Sequence, residues 1–248
     1  MKLKFNIFIK ILYMIIYTMI IIILLVIVFI IYLYMFNNDI KYYDYGDPNA
    51  KYKICIIAGV HGNEPAASIL LNKMINNNYF DQNINNLFIR VIPIANKFGY
   101  KFNTRYQNNI FYPDINRNFI NDGVDTTSKD IIKLTKNMDI VLDFHEGWGF
   151  HKINSDSLGS SITITSKMKE LGNIIINNLN NIISEEKYKF VILENICDIN
   201  SSLGCYSNKN NINYILVETT GQNDIQEMNI RQEQIFNIIN TVINYYNT

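Results

Sequence analysis

The chain has 248 residues, and its 22 basic and 22 acidic side chains cancel in net charge. This balance produces no overall field that would attract nucleic acid or an anionic surface, so no nucleic-acid partner is expected. About 200 residues remain once an apolar N-terminal segment is set aside, which suits one domain with a sizeable core. A single catalytic unit is therefore expected.

Residues 11–36 form a stretch of 26 positions without a charged side chain. As a helix it would be about 39 Å long, enough to cross roughly 30 Å of bilayer hydrocarbon with some tilt. It is longer than the apolar core of a cleaved signal peptide and lacks a small-residue cleavage site, which favours a retained transmembrane anchor. Residues 1–10 form a short basic tail, so the positive-inside tendency predicts a cytosolic N-terminus and a domain on the non-cytosolic side.

Residues 37–50 are polar and rich in tyrosine, with Gly46 and Pro48 as breakers, and are predicted to be a linker. The folded domain is then expected to cover residues 51–248. Its cysteines are too few for a disulfide framework. Cys197 and Cys205 either pair in an oxidising compartment or stay free, and Cys55 is predicted to be a small core residue.

Short apolar runs alternate with segments of helical spacing along the rest of the chain. Strands are predicted at 52–59, 87–94, 139–144, 161–165, 190–193 and 214–217. Helices are predicted at 65–76, 128–136, 167–183 and 225–246. This alternation predicts an α/β fold, with a mixed, mostly parallel sheet and helices on both faces, preceded by the transmembrane helix.

Polar residues follow three of the predicted strands at the point where each strand ends. His61 lies in "GVHGNEP", where Pro65 suits the first turn of a helix and so places Glu64 at that helix's start. The runs "DIVLDF" and "NYILV" deliver His145 and Glu218. Because ligands bind beyond the carboxyl ends of strands in open α/β sheets, these side chains should gather on one rim.

Two histidines and one carboxylate make a three-ligand site for a single zinc ion, with the fourth position left for water. His61, Glu64 and His145 are the predicted ligands, and Glu218 is the carboxylate expected to take the proton of that water. A His-x-x-Glu spacing alone arises easily by chance, and a glutamate after an apolar run is often structural. The combination, in order and at strand ends, favours the catalytic interpretation.

The chain resembles the zinc carboxypeptidase superfamily, including its succinylglutamate desuccinylase/aspartoacylase branch and its murein-peptide amidase branch. Four stretches carry the resemblance in family order: "GVHGNEPA", "NTRYQNNIFYPDINRNF", "LDFHEG" and "LVETTG". They begin at residues 59, 103, 142 and 216, and the likeness covers residues 51–248. The resemblance implies a zinc hydrolase domain of the zinc carboxypeptidase type.

The resemblance also implies roles for residues between the two metal motifs. Arg105 matches the arginine that stabilises the oxyanion, and Asn116 with Arg117 matches the pair that grips a substrate carboxylate. Asp114 matches the carboxylate that hydrogen-bonds the ligand His61.

Three further residues lie close to His145 in the sequence. Strand alternation predicts that Glu146 points away from His145 and stays outside the catalytic set. Trp148 and His151 either line the substrate pocket or are ordinary loop residues.

The string "HGNE" is nearest to the desuccinylase and aspartoacylase enzymes, but only 30 residues follow Glu218, and they read as one amphipathic helix. This favours a membrane-anchored carboxypeptidase or peptide amidase that cleaves an amide next to the carboxylate of a small peptide. The alternative is an N-acyl amino acid deacylase acting on an acylated amino acid. A further alternative is a catalytically inactive binding module displayed on a lipid bilayer.

Overall fold

The computed structural model describes residues 2–36, 39–83, 86–194 and 196–247. It divides into two units, residues 1–37 and 38–248. The predicted boundaries at residues 1, 37 and 248 lie outside the described residues.

The first unit contains the helix α1 (Lys2–Phe36). Within it, Lys10–Ile30 is long and apolar enough to cross a membrane, and its composition fits either an anchor or a signal sequence. The helix begins at Lys2, so the described part of the predicted basic tail is helical as well.

The second unit alternates strands and helices. Its strands are β1 (Lys41–Gly46), β2 (Tyr52–Ala58), β3 (Leu87–Ile94), β4 (Ile140–Gly147), β5 (Ser161–Ile164), β6 (Val191–Leu193) and β7 (Asn213–Thr220). Its helices are α2 (Pro65–Asn76), α3 (Tyr79–Asn83), α4 (Lys97–Phe102), α5 (Thr126–Thr135), α6 (Lys169–Ile182), α7 (Leu203–Lys209) and α8 (Met228–Asn247).

All of these strands belong to one sheet, in the order β1-β3-β2-β4-β7-β5-β6. The four central strands, β3, β2, β4 and β7, are parallel to one another. Strand β1 runs antiparallel to β3, and β5 runs antiparallel to β7. The edge strand β6 is parallel to β5. The prediction of a mixed, mostly parallel sheet is therefore confirmed.

Successive side chains of the central strands enter two separate cores. Ile54 and Ile56 pack on one face with buried residues of α2, α6 and α8. Cys55 and Ile57 pack on the opposite face with residues of α5 and α7. Because both faces of the sheet are covered, the predicted layered α/β fold is confirmed, and Cys55 is a buried core residue.

The prediction that residues 37–50 form a linker is wrong over β1. This strand pairs with β3, from Lys41 opposite Ile94 to Gly46 opposite Phe88. Tyr45, half-buried, lies with its ring centroid 5.2 Å from that of Phe80. This edge strand is short and mostly exposed. Its stability therefore comes mainly from pairing with β3, which is distant in the sequence.

Two of the predicted strands end later than their apolar runs suggest. In the structure β4 continues to Gly147 and β7 to Thr220, so His145 and Glu218 lie inside strands. The two strands pair along this extension, with His145 opposite Glu218.

The short helices α3, α4 and α7 were not predicted, because each is too short to show helical periodicity.

We expect Tyr45→Ala to lower the free energy of unfolding of the full chain by about 1–2 kcal/mol, because apolar contact between β1 and the core is lost. The measurement is urea unfolding in detergent, followed by the fluorescence of the single tryptophan. Tyr42→Ala is the control on the same strand, since the Tyr42 ring is exposed and lies against the Arg90 side chain. Equal losses in both variants would contradict the packing of β1 on the core.

Candidate functional site

The loop after β2 brings the first two predicted ligands to the carboxyl rim of the sheet. Gly59 turns the chain there with a φ of +66°, a backbone conformation that residues other than glycine rarely adopt. Gly62 packs so closely on the backbone of Gly99 that a Cβ would lie 1.8 Å from its carbonyl carbon. His61 is thereby fixed in the loop, and Glu64 immediately precedes α2.

The two histidines and Glu64 converge on one point. The Nδ1 atoms of His61 and His145 lie 3.0 Å apart. Glu64 closes the triangle, with Oε1 at 3.0 Å from the Nδ1 of His61 and Oε2 at 2.9 Å from the Nδ1 of His145. All three residues are buried, and their ligand atoms lie within 4.8 Å of one another.

A carboxylate lies behind the first histidine. Asp114 Oδ1 is 3.1 Å from the Nε2 of His61, and Asp114 also accepts hydrogen bonds from Arg105 Nε at 2.9 Å and from the Asn116 backbone N–H at 3.0 Å. Because a carboxylate only accepts, the Nε2 of His61 donates and its Nδ1 presents a lone pair to the centre. The hydrogen bond implied by the family resemblance is present.

A second carboxylate lies behind the other histidine and was not identified from the sequence. Asp143 is fully buried, with Oδ2 at 3.4 Å from the Nε2 of His145, an ion-pair distance without a hydrogen bond. The hydroxyl of Tyr214 donates to the same Oδ2 at 2.6 Å. Asp143 precedes His145 by two residues on β4, so strand alternation could have shown that they share a face.

The surroundings favour positive charge at the centre of the site. Burial raises the pKa of Glu64, but His61 and His145 outweigh it and lower the pKa below its usual range. Burial lowers the pKa of His145, but Asp143 and Glu64 outweigh it and raise the pKa well above its usual value. The site therefore attracts a cation.

These residues fit a divalent metal ion. Two imidazole nitrogens and a carboxylate are a ligand set of catalytic zinc. Because Asp114 holds the proton of His61 on Nε2, the Nδ1 lone pair of His61 and the carboxylate of Glu64 face the same centre as the Nδ1 of His145. Such acceptors repel one another unless a proton or a metal cation lies between them. His61, Glu64 and His145 are the residues that could hold it.

Glu218 lies beside the histidines on the neighbouring strand. It is 8% exposed and lines a cleft of about 310 Å³ that also contains His61, Glu64 and Arg105. Burial raises the pKa of Glu218 to about 8, with His145 opposing the rise and Glu64 adding to it. A protonatable carboxyl group thus borders the candidate metal centre.

The other predicted substrate-contacting residues line the same cleft. The NH1 of Arg105 is 3.6 Å from Glu64 Oε1. Asn116 accepts the backbone N–H of Leu203 at 3.0 Å through Oδ1, which leaves its amide nitrogen as the donor it can offer. Arg117 is exposed and donates from NH1 to its neighbour's carbonyl at 2.9 Å.

Gln222, which the sequence analysis did not identify, forms a hydrogen bond with the candidate metal ligand Glu64. Its Nε2 donates to Glu64 Oε1 at 3.1 Å and to the carbonyl of Glu146 at 2.6 Å. The carboxylate of Glu146 turns away from the imidazoles, accepts the backbone N–H of Ala66 at 2.6 Å and forms a buried ion pair with Arg231. Glu146 therefore has a structural role, as strand alternation indicated.

The loop residues after β4 differ in position. Trp148 is 44% exposed and lines the cleft, whereas the Nδ1 of His151 lies 2.7 Å from the carbonyl of Ser157, outside the cleft lining.

Cys197 and Cys205 form a disulfide, one of the two states that the sequence left open.

Residues 50–153 match the sequence model of the succinylglutamate desuccinylase/aspartoacylase catalytic domain. The matched segment contains His61, Glu64, Arg105 and His145 and ends before Glu218. A comparison with curated protein sequences gives no match.

Solved structures share the fold at low sequence identity. The apo form of cell shape determinant protein Csd4 from Helicobacter pylori has a TM-score of 0.70 and 17% identity, over 84% of this chain and 54% of that one. Its mDAP-bound form, described as a D,L-carboxypeptidase, has a TM-score of 0.68 and 17% identity, over 82% of this chain and 54% of that one. A protein from Shewanella denitrificans OS217, provisionally described as a metallopeptidase, has a TM-score of 0.64 and 15% identity, over 84% of this chain and 79% of that one.

The chain spans about half the length of the Csd4 structures. The likeness to them establishes the fold, and the sequence model independently matches the segment with the histidine motifs. The resemblance that the motifs indicated is confirmed at this level: residues 50–153 match the succinylglutamate desuccinylase/aspartoacylase catalytic domain, and the second unit shares the fold of the Csd4 structures.

We expect Tyr214→Phe to weaken Zn²⁺ binding by about 10- to 100-fold, because the hydroxyl that fixes the carboxylate behind His145 is lost. The measurement is competition with a chromophoric chelator. Tyr206→Phe is the matched control, because that hydroxyl lies 3.3 Å from Asp122 and does not contact the site. Unchanged affinity in Tyr214→Phe would contradict the orienting role of Asp143 and Tyr214.

Proposed function

We propose that this protein is a membrane-anchored, zinc-dependent hydrolase that cleaves an amide bond next to a substrate carboxylate. The observation that carries the proposal is the convergence of His61, Glu64 and His145, buried, at one point beside Glu218. A metal centre with an adjacent, uncoordinated carboxyl group is the arrangement that amide hydrolysis needs.

His61, Glu64 and His145 would hold the zinc ion. When bound, zinc supplies Lewis acidity, which polarises a scissile carbonyl and makes a water molecule more acidic. Asp114 accepts a hydrogen bond from the Nε2 of His61, and Asp143 lies at ion-pair distance behind the Nε2 of His145, so the Nδ1 atoms of both rings face the centre.

Glu218 is the proposed base. Its carboxylate would take a proton from the attacking water and pass it to the nitrogen of the leaving amine. Burial beside other carboxylates favours the proton-bearing form of Glu218, which suits a group that must hold a proton between these steps.

Arg105 is the proposed stabiliser of the negative charge that develops on the carbonyl oxygen. The Nε of Arg105 donates a hydrogen bond to Asp114 at 2.9 Å, which fixes one end of the guanidinium group. The terminal nitrogens of Arg105 border the cleft. A positioned cation of this kind lowers the barrier because it does not have to reorganise during the reaction.

Asn116 and Arg117 are proposed to bind the substrate carboxylate. A planar guanidinium matches a carboxylate with two parallel hydrogen bonds, and Arg117 is exposed at the cleft where such a group would enter. The amide nitrogen of Asn116 is the second donor. The bond cleaved would then lie one residue from the free carboxylate.

A small peptide is the substrate class that we favour. Structures of Csd4 have been described with a tripeptide and with mDAP, and that fold covers more than four-fifths of this chain. The match of residues 50–153 favours a second candidate, deacylation of an N-acyl amino acid. Both reactions break an amide bond near a carboxylate.

We further propose that α1 is a retained anchor, with the N-terminus in the cytosol and the hydrolase domain on the non-cytosolic side. The disulfide between Cys197 and Cys205 supports this placement, because disulfides persist in oxidising compartments. The cluster of lysines before the span supports the same orientation.

Glu218→Gln is expected to retain zinc and to lose turnover by about 10²- to 10⁴-fold, because the proton acceptor is removed while the ligands stay. His145→Ala is expected to lose both. Metal content and the rate of amide cleavage are measured on the same samples. His151→Ala is the control histidine, with metal and rate preserved. Normal turnover in Glu218→Gln would refute the proposed base.

Chelation should abolish hydrolysis, and added Zn²⁺ should restore it, because the Lewis acid is then returned. The assay uses a panel of short peptides with free C-termini, muropeptides and N-acyl amino acids. Preference for N-acetylaspartate or succinylglutamate would move the assignment to the deacylase candidate. Absence of hydrolysis in both metal states would indicate a binding module.

A further inference from the structure

An apolar loop tip projects beside the cleft. Ile110 is 86% exposed and Phe111 81%, the highest values among large hydrophobic residues in the described part of the second unit. The loop that carries them joins Arg105 to Asp114, two residues of the candidate site. Exposed apolar side chains of this size in contiguous positions mark an interaction surface.

The tip is held by a structured base. The backbone N–H of Gln107 donates to the carbonyl of Pro113 at 2.8 Å, and its side-chain nitrogen donates to the carbonyl of Tyr112 at 2.6 Å. The side chain of Asn109 accepts the backbone N–H groups of Phe111 and Tyr112 at 3.1 and 3.2 Å. These bonds fix the loop backbone with its apolar side chains turned outward.

The residues around the tip match the composition of a membrane interface. Tyr106 and Tyr112 are 50% and 43% exposed, and Phe102 is 46% exposed. Lys97 and Lys101 are exposed on the adjoining helix α4. Aromatic rings and lysines are the side chains that occupy the headgroup region of a bilayer.

The chain enters the second unit at this same rim. Because β1 runs antiparallel to β3, its first residue, Lys41, lies opposite Ile94, at the end of β3 that leads into α4 and the loop. This is the carboxyl edge of the parallel strands, where His61 and His145 also lie. The attachment point of the proposed anchor and the apolar tip therefore share one edge of the sheet.

The connection to the proposed anchor is short. Helix α1 ends at Phe36 and β1 begins at Lys41. Five residue-to-residue steps join Phe36 to Lys41, and even fully extended they span at most about 18 Å. The chain therefore enters this edge of the sheet within that distance of the end of α1.

We propose that Ile110 and Phe111 insert into the surface of the bilayer that contains α1, so that the cleft rim faces the membrane. This inference rests on the proposed anchor. The tip reaches the boundary between headgroups and acyl chains, roughly 5–10 Å below the surface, as apolar side chains of interfacial segments do. The membrane then bounds one side of the entrance to the cleft, and substrates are taken from the layer next to the bilayer.

The test is tryptophan quenching in the full chain, reconstituted in vesicles of phosphatidylcholine and phosphatidylglycerol with and without bromine on the acyl chains. Trp148, the single native tryptophan, is first replaced by Phe. Phe111→Trp is then compared with Asn137→Trp, an exposed site at the opposite edge, next to the start of β4. Leu24→Trp reports on the span itself.

We expect the Phe111→Trp variant to lose roughly half of its emission in the brominated vesicles, because the interfacial depth brings the indole near the acyl chains. The Asn137→Trp variant should lose none. Quenching at 24 without quenching at 111 would overturn the docking proposal and leave the anchor intact. No quenching at 24 would refute the anchor and the docking together. Equal quenching at 111 and 137 would also overturn the proposal, because the unit would then lack a fixed membrane-facing edge.

Discussion

The candidate site depends on one electrostatic constraint, the close approach of two imidazole nitrogens and a carboxylate in a buried position. The Nδ1 atoms of His61 and His145 are 3.0 Å apart, and Glu64 contacts both. Such groups repel one another unless positive charge lies among them. The fold meets this constraint with a carboxylate behind each ring, Asp114 for His61 and Asp143 for His145. The whole arrangement therefore favours a bound cation.

Strand β4 connects this site to the rest of the fold through the alternation of its side chains. Asp143 and His145 lie on one face of the strand, with Asp143 behind the imidazole of His145. Glu146 points to the other face, where it pairs with Arg231 of α8 and accepts the backbone N–H of Ala66 in α2. One short run of residues thus builds the site and joins two helices to the sheet. Changes in helix packing can therefore reach the ligands through a single strand.

Local patterns in the sequence were enough to predict the fold class and the candidate ligand set. Every strand except β1 was predicted to within a few residues, because buried strands read as apolar runs bounded by polar or breaking residues. Pro65 marked the start of α2 and so located Glu64. His61, His145 and Glu218 could be found because each lies at or near the end of such a run. These signals depend only on neighbouring residues, so they can be identified in one amino-acid sequence without a structure.

Features that depend on contacts between distant segments became visible only in the folded chain. The strand β1 exists because Lys41–Gly46 pairs with β3, which no local pattern in that polar segment shows. Tyr214 reaches Asp143, 71 residues away in the chain, and Gln222 reaches Glu64, 158 residues away. Periodicity describes which face a side chain occupies, but the neighbour it meets there is set by the packing of the sheet.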